Sequence, residues 1–456
     1  MTWLSVFYSV LPTFTTHQPH LIISTIVENK KTVQSWAMFD WANSVYALVI
    51  STAVFPPYFA EVTDTNLQIF GMNVTNTALY SFIVSAAYLI MAVMMPLLSG
   101  IADYGDKKNL FLKIFTILGG ISCISMFFFI DTSTVMIGSI GFLLATIGFG
   151  GGIVFYNAYL PQITTPDRYD VVSAKGFAYG YIGSVICLIG ILVIVLKPEL
   201  FGIVDSSTLP VRLGFIIVGL WWIGFGLFSI NRLPSDTPGK IPKGMMKKGL
   251  GELKDAFNYV KSSANTKKFL TGYFFYIAGV NTVIYLATVF GSVELKLETK
   301  ELIYTVLIIQ LVAIGGAYLF AYVSKLKGNR FGLVAMIFIW IAICICAYFT
   351  TGKFYFYVVA GFVGLVVGGI QSLSRSSYTK LLSDDVDEVT SYFSFYDMLT
   401  KLAVVAGTLA FGIVDNITGN LRYSVLTIAL FFIVSLFFIR KVGFGESKVE
   451  PQLEMG

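Results

Sequence analysis

Asp40 lies in Trp36-Ala37-Met38-Phe39-Asp40-Trp41-Ala42-Asn43, inside a long apolar stretch. An ionised carboxylate there needs a cation, a polar cavity or water. Two roles stand open: it binds a solute amine or changes protonation, or it forms half of an ion pair at a gate. Asp397 and Lys401 are four residues apart, so they share a helix face. They compensate each other, or they line a passage and exchange partners, offering the ammonium to a solute carboxylate. Arg375 and Lys175 fall near the ends of two other apolar stretches. Each is a gate residue, an anion contact or a side chain snorkelling to headgroups. Asn43, Asn157, Gln371 and Asn281 bring neutral donors and acceptors that orient a zwitterion or bond one helix to another. Tyr46, Tyr179, Tyr181 and Tyr396 offer cavity walls. The solute or proton set is Asp40, Asn43, Tyr46, Asn157 and Gln371. The gating or charge-pairing set is Asp103, Lys107, Lys175, Arg375, Asp397 and Lys401.

Other chemistry finds no support in the residues. No compact nucleophile, base and acid arrangement occurs, so an enzyme, including one acting on lipids, is not expected. A phosphate loop of the form GxxxxGK[ST] is absent. Cys123, Cys187, Cys344 and Cys346 sit in apolar stretches, and His17 and His20 lie in the preface, so no metal ligand spacing arises. Neither metal nor cofactor is expected. The net charge of +5 is spread over separate loops rather than one basic face, which argues against nucleic acid as a partner.

The elements that position these groups follow from hydropathy. Hydrophobic residues make up 56% of 456 and charged residues 12%, too little polar surface for a soluble core. Mean hydropathy is +0.77. Twelve apolar runs read as membrane-spanning helices: 36–60, 79–102, 110–130, 135–159, 174–196, 211–230, 269–290, 302–323, 331–350, 354–378, 391–414 and 423–438. At 1.5 Å per residue, about 20 residues cross a hydrocarbon layer about 30 Å thick. The runs do not alternate, which excludes a membrane barrel. The fold class expected is an all-α polytopic membrane protein of two six-helix bundles.

Loop charge sets the orientation. Lys30, Lys31, Lys107, Lys108, Arg168, Lys325, Lys327, Arg330, Arg440 and Lys441 fall on one side, whereas 61–78 and 131–134 carry no bases. The positive-inside rule then makes both termini cytoplasmic, in a cell inner or plasma membrane. The chain divides into an extension 1–35, a bundle 36–230, a cytoplasmic linker 231–268, a bundle 269–440 and a tail 441–456. Pro234, Pro238, Gly239 and Pro242 resist a helix in the linker, while 251–268 suits a short amphipathic helix at the membrane surface. Residues 1–29 have no base before their apolar part and are broken by Pro12 and Pro19, unlike a cleaved signal peptide. They read as a surface-lying extension or the product of an upstream start codon. Glycines crowd the fourth, fifth and tenth runs, among them Gly148, Gly150, Gly151, Gly176, Gly180, Gly364 and Gly368, and allow close helix approach.

The two halves echo each other. Ser99-Gly100-Ile101-Ala102-Asp103-Tyr104-Gly105-Asp106-Lys107-Lys108 and Ala321 to Arg330 are both short turns with glycine and a basic end. Asp167, Arg168 and Asp170 after the fourth run have a looser echo in Asp384, Asp385 and Asp387. Parallel repeats of this kind suit alternating access around a site between the halves.

The Asp103 turn resembles the loop signature of the major facilitator superfamily, with Ser99, Tyr104 and Asp106 departing from its usual pattern. Trp36 to Tyr46, Phe155 to Pro161, Ser173 to Tyr181, Gly369 to Ser376 and Phe395 to Met398 resemble the autophagy-related vacuolar effluxer family and its bacterial relatives. The resemblance runs from about Trp36 to the last apolar run. It implies a twelve-helix facilitator fold and, from fungal relatives, amino-acid release. The expectation is a secondary transporter, functional as a monomer in a lipid bilayer. Its partner is a small polar solute, an amino acid or related metabolite, with proton coupling through Asp40. The alternative is a non-transporting receptor or assembly scaffold; a channel suits the two-half organisation less well.

Overall fold

A computed structural model describes residues 29–444 apart from 70, 204–207, 238–244, 383–388 and 419. The first 28 residues, the tail beyond 444 and the echo at Asp384, Asp385 and Asp387 lie outside the described residues. Helices follow the apolar runs and overshoot them where polar residues cap the ends. They are α1 (Lys30–Val62), α2 (Asn76–Gly105), α3 (Lys108–Ser125), α4 (Val135–Asn157), α5 (Tyr169–Leu196) and α6 (Leu209–Ile230). After the linker come α7 (Met245–Ser262), α8 (Ala264–Glu294), α9 (Thr299–Phe349), α10 (Lys353–Leu381), α11 (Val389–Thr418) and α12 (Leu421–Ile439). Ten helices among the described residues are long and apolar enough to cross a membrane. Leu89, Phe349 and Ile417 on the outer surface are 67%, 70% and 76% exposed, as side chains facing lipid are.

Local chemistry explains the departures from regular helix. Inside α1 the turns widen over Tyr46–Val54, and the Phe55 amide reaches back five residues to Ile50. Pro56 and Pro57 follow at once; lacking N–H groups, they cannot bond the preceding turn. Between α1 and α2 the polar loop forms an antiparallel hairpin, β1 (Asn66–Ile69) with β2 (Met72–Thr75), an element that hydropathy alone does not reveal. Gly71 turns it at a φ of +80°. The eighth and ninth apolar runs join as the two arms of α9, meeting at Gly328 with φ 81° and ψ 158°. The surface helix also starts earlier than 251, at Met245. It ends at Ser262, and the next residue, Ser263, accepts from the Thr266 amide to start α8.

Buried side chains cluster by sequence half. One apolar cluster draws on residues 256–442 together with Ala158, and two others on residues 33–233. Across the seam, α5 packs against α9 and α10, and α11 packs against α2 and α4. Close approach inside the second half depends on glycine: a Cβ on Gly368 would run into the Ala313 carbonyl, and one on Gly364 would sit 2.5 Å from the Ile309 carbonyl. The start of α1, the linker and the end of α12 share one face of the bundle. There Ser229 donates to the Ser35 carbonyl, and the Gly443 amide donates to Asn265. This is the linker face.

Candidate functional site

On the linker-face side of the seam, Arg375 reaches from α10 into a pocket made by α1, α4 and α5. Its Nη1 lies 3.4 Å from Asp40 Oδ2 and donates to Asn157 Oδ1 at 3.2 Å. Nε donates to Ser173 Oγ at 2.9 Å, and Nη2 to the Ser173 carbonyl at 2.8 Å. Tyr156 donates its hydroxyl to the same Asp40 oxygen at 2.7 Å. Ser173 Oγ passes the connection on to the Ser372 carbonyl at 2.7 Å. Arg375 is 3% exposed and Asp40 6%, so the cost of burying this charge pair is offset by the hydrogen bonds just described. The guanidinium carbon is also 4.3 Å from the Phe177 ring centre and 4.7 Å from Trp36. Trp36 stacks on Tyr156 at 4.4 Å and donates its indole N–H to the Tyr156 carbonyl. Gly176 leaves the room for this: a Cβ there would stand 2.7 Å from Asp40 Oδ2 and 2.9 Å from Arg375 Nη2.

Two further junctions cross the seam nearer the linker face. Asp103, at the end of α2, accepts from the amides of Thr390 (3.2 Å) and Ser391 (2.7 Å) in the first turn of α11. A carboxylate is favoured at that helix terminus by its free N–H groups. Lys108 lies 3.9 Å away. In the other junction, Asp170 at the start of α5 accepts from Ser324 (2.8 Å), Asn329 (3.0 Å) and Lys380 (2.7 Å). Asn329 and Ser377 join at 2.8 Å. These two aspartates occupy matching places, at the seam ends of α2 and α5, against α11 and the α9 elbow.

The loop between α2 and α3 also holds the start of the linker. Asp236 accepts from the amides of Asn109 and Leu110 at 2.7 and 2.8 Å, capping α3. Asp106 accepts from the Thr237 amide at 2.9 Å, and Lys107 donates to the Thr237 carbonyl at 2.8 Å. Partial burial pushes the Asp106 carboxyl up. The Thr237 bonds, with Lys108 and Lys107 nearby, outweigh it and hold the group below the ordinary carboxylate range.

The remaining named residues separate by position. Gln371 accepts from the Tyr181 hydroxyl at 2.7 Å across the seam. Asn43 is buried on α1, and its Oδ1 has no hydrogen-bond partner among the described residues. Tyr46 lies inside the first half, its hydroxyl 2.7 Å from Thr146 Oγ1 and its ring between Phe149 and Trp222. Asn281 bonds its own helix at the Ile277 carbonyl. Lys175 lies over the Tyr179 ring at 5.7 Å. Asp397 and Lys401 form an ion pair within α11. Sequence reasoning had not assigned Tyr156, Ser173, Ser324, Asn329 or Lys380 to a site. The first two sit inside the quoted segments around Pro161 and Tyr179, the only signal they carried.

The comparisons with known proteins bear on this geometry. The family model described as "Vacuole effluxer Atg22 like" matches residues 28–452. The chain belongs to that family. Membership makes it a membrane transporter of the major facilitator superfamily rather than an enzyme, in line with the sequence resemblance. A Bacillus subtilis relative, the "Uncharacterized MFS-type transporter YxiO", is 29% identical over 407 residues, covering 89% of this chain and 93% of its own. Autophagy-related protein 22 of Kluyveromyces lactis is 24% identical over 404 residues, covering 80% and 79%. Among solved structures, the E. coli fucose:proton symporter FucP aligns with a TM-score of 0.65 at 13% identity, over 91% of this chain and 98% of that one. The proton:xylose symporter XylE gives 0.65 at 13%, over 90% and 93%. At such identity the two symporters establish the shared fold.

Proposed function

We propose that this Atg22-like chain is a secondary transporter that moves a small polar solute, an amino acid or related metabolite, by alternating access. Counting α8, and the two arms of α9 separately, brings the ten apolar helices to twelve crossings, six in 36–230 and six in 269–440. The linker face is assigned to the cytoplasm by its lysines and arginines, in a cell inner or plasma membrane, with the monomer as the working unit. The observation that carries the reading is the Asp40–Arg375 pair, a buried ion pair whose two members come from opposite halves. With the Asp103 and Asp170 junctions it closes the cytoplasmic side, and all three must part when the halves rock. The fold shared with two proton symporters supports the same motion. Opening frees Asp40 from Arg375, so its carboxylate becomes available to a proton or a solute amine at that moment only.

Asp40→Asn keeps the shape and removes the charge. In proteoliposomes the variant is expected to show saturable flux reduced by about tenfold or more, with its dependence on an imposed proton gradient lost. Wild-type flux with an unchanged pH response would reject the proton role.

A further inference from the structure

A buried lysine and a partly buried aspartate take no part in the closures. Asp397 and Lys401 pair with each other on α11, their side chains 12% and 11% exposed. Counted from Val389 at 1.5 Å per residue, they lie roughly 12 and 18 Å along the helix, near the middle of a layer about 30 Å thick. The opposite half meets them there, since α2 and α4 pack on α11. A Cβ on Gly150 of α4 would stand 3.5 Å from Lys401 Nζ and in contact with Met91 Sδ of α2. The ammonium therefore faces the seam. Behind the pair, Tyr273 bonds Thr400 at 2.6 Å and stacks on Tyr396 at 4.2 Å, fixing this stretch of α11 to α8.

We propose that Asp397 and Lys401 form the central solute site: the solute carboxylate displaces Asp397 from the Lys401 ammonium, and Asp397 takes the solute ammonium. The assignment rests on the transporter reading above and adds to it the residues that recognise the cargo. Charge balance selects the class. A zwitterion exchanges one internal pair for two matched pairs, so no uncompensated charge is left in the membrane interior. A lone carboxylate strands Asp397, a lone amine strands Lys401, and a neutral sugar leaves the pair shut. Gly150 lets α4 and the Met91 side chain of α2 come close to the ammonium, so the exchange of partners takes place at the seam.

The test uses the full-length protein, in detergent for ligand-induced thermal shifts and in proteoliposomes for flux. The probes are α-amino acids, their carboxamides and their decarboxylated amines. Wild type is expected to prefer the acids by about tenfold or more over both analogues, the value of a charge-assisted contact. Asp397→Asn combined with Lys401→Gln strands no charge, so it isolates recognition from folding. It is expected to lose that preference, while Lys401→Arg keeps it. Gly150→Ala, which retains both charges, is expected to weaken acid binding. A double variant with wild-type affinity and preference overturns the site. A wild type that carries amides, amines or sugars but no acid also overturns it, while leaving the transporter reading intact. Acid-selective binding abolished by the double variant, without any flux, supports the site and removes the transporter reading. Neither binding nor flux for any probe overturns both.

Discussion

Arg375 holds its position through four polar contacts and the ring faces of Trp36 and Phe177, so its removal leaves more than one vacancy. Arg375→Ala strands the Asp40 carboxylate in a buried site and is expected to destabilise the closed state by about 3–5 kcal/mol, read as a lowered melting temperature in detergent. Gly176→Ala tests the same knot without touching a charge. Its methyl group would fall between Asp40, Tyr156 and Arg375, and overpacking of that kind costs about 1–3 kcal/mol. Transport is expected to fall with it, and a variant as stable and active as wild type would show the knot to be looser than described. Asp40, Asn157 and Arg375 were legible in the sequence because polar groups in apolar runs are conspicuous. Tyr156 and Ser173 were not, since a tyrosine or serine in such a helix carries no signal until its partner is known. Lys107 stands among the gating or charge-pairing candidates, and its ammonium donates to the linker at the Thr237 carbonyl.

At the scale of elements, the α9 elbow shows what apolar periodicity hides. Residues 321–330 read as a turn, yet helical hydrogen bonding continues on both sides of Gly328 and the bend falls on that one residue. Its φ of 81° with ψ of 158° is a region open to glycine almost alone, so Gly328→Ala is expected to cost about 1–3 kcal/mol, again as a lower melting temperature. The linker is the second case. Its prolines resist a helix, and Asp106 and Asp236 tie its first residues to the α2–α3 loop. Such caps are backbone contacts and cannot be read from residue types. Because the folded Asp106 carboxyl lies below the ordinary range, the stability it adds is complete above that range. It disappears as pH falls through the folded value. Hydrogen exchange at the Thr237 amide is therefore expected to speed up in acid in the wild type. In Asp106→Asn it should be fast at every pH, after correction for the intrinsic rate.

For the whole molecule, hydropathy made the membrane fold legible almost completely, because a bilayer leaves the backbone few alternatives to long helices. The seam contacts were not legible, since they join residues more than a hundred positions apart. They also assign the conformation: all three junctions are formed, so the linker face is shut. Asp103→Ala with Asp170→Ala removes two of them and is expected to shift the population towards an open linker face. A cysteine at Ser173, in a background where the exposed Cys346 is serine, reports that shift by faster reaction with a polar maleimide. Equal labelling in both backgrounds would mean that the Arg375 knot holds the face closed alone.

α7 packs along α2 in the first half, yet Ser263 alone separates it from α8 in the second. It also touches α11, with the Phe257 and Phe395 rings 5.9 Å apart. On its other flank, the stretch from the anchored Thr237 to Met245 reaches under roughly 30 Å even when taut. A strut shared in this way cannot stay with both partners when the bundles separate. Either it slides over α2 like a bolt in its keeper, or its short leash caps the stroke.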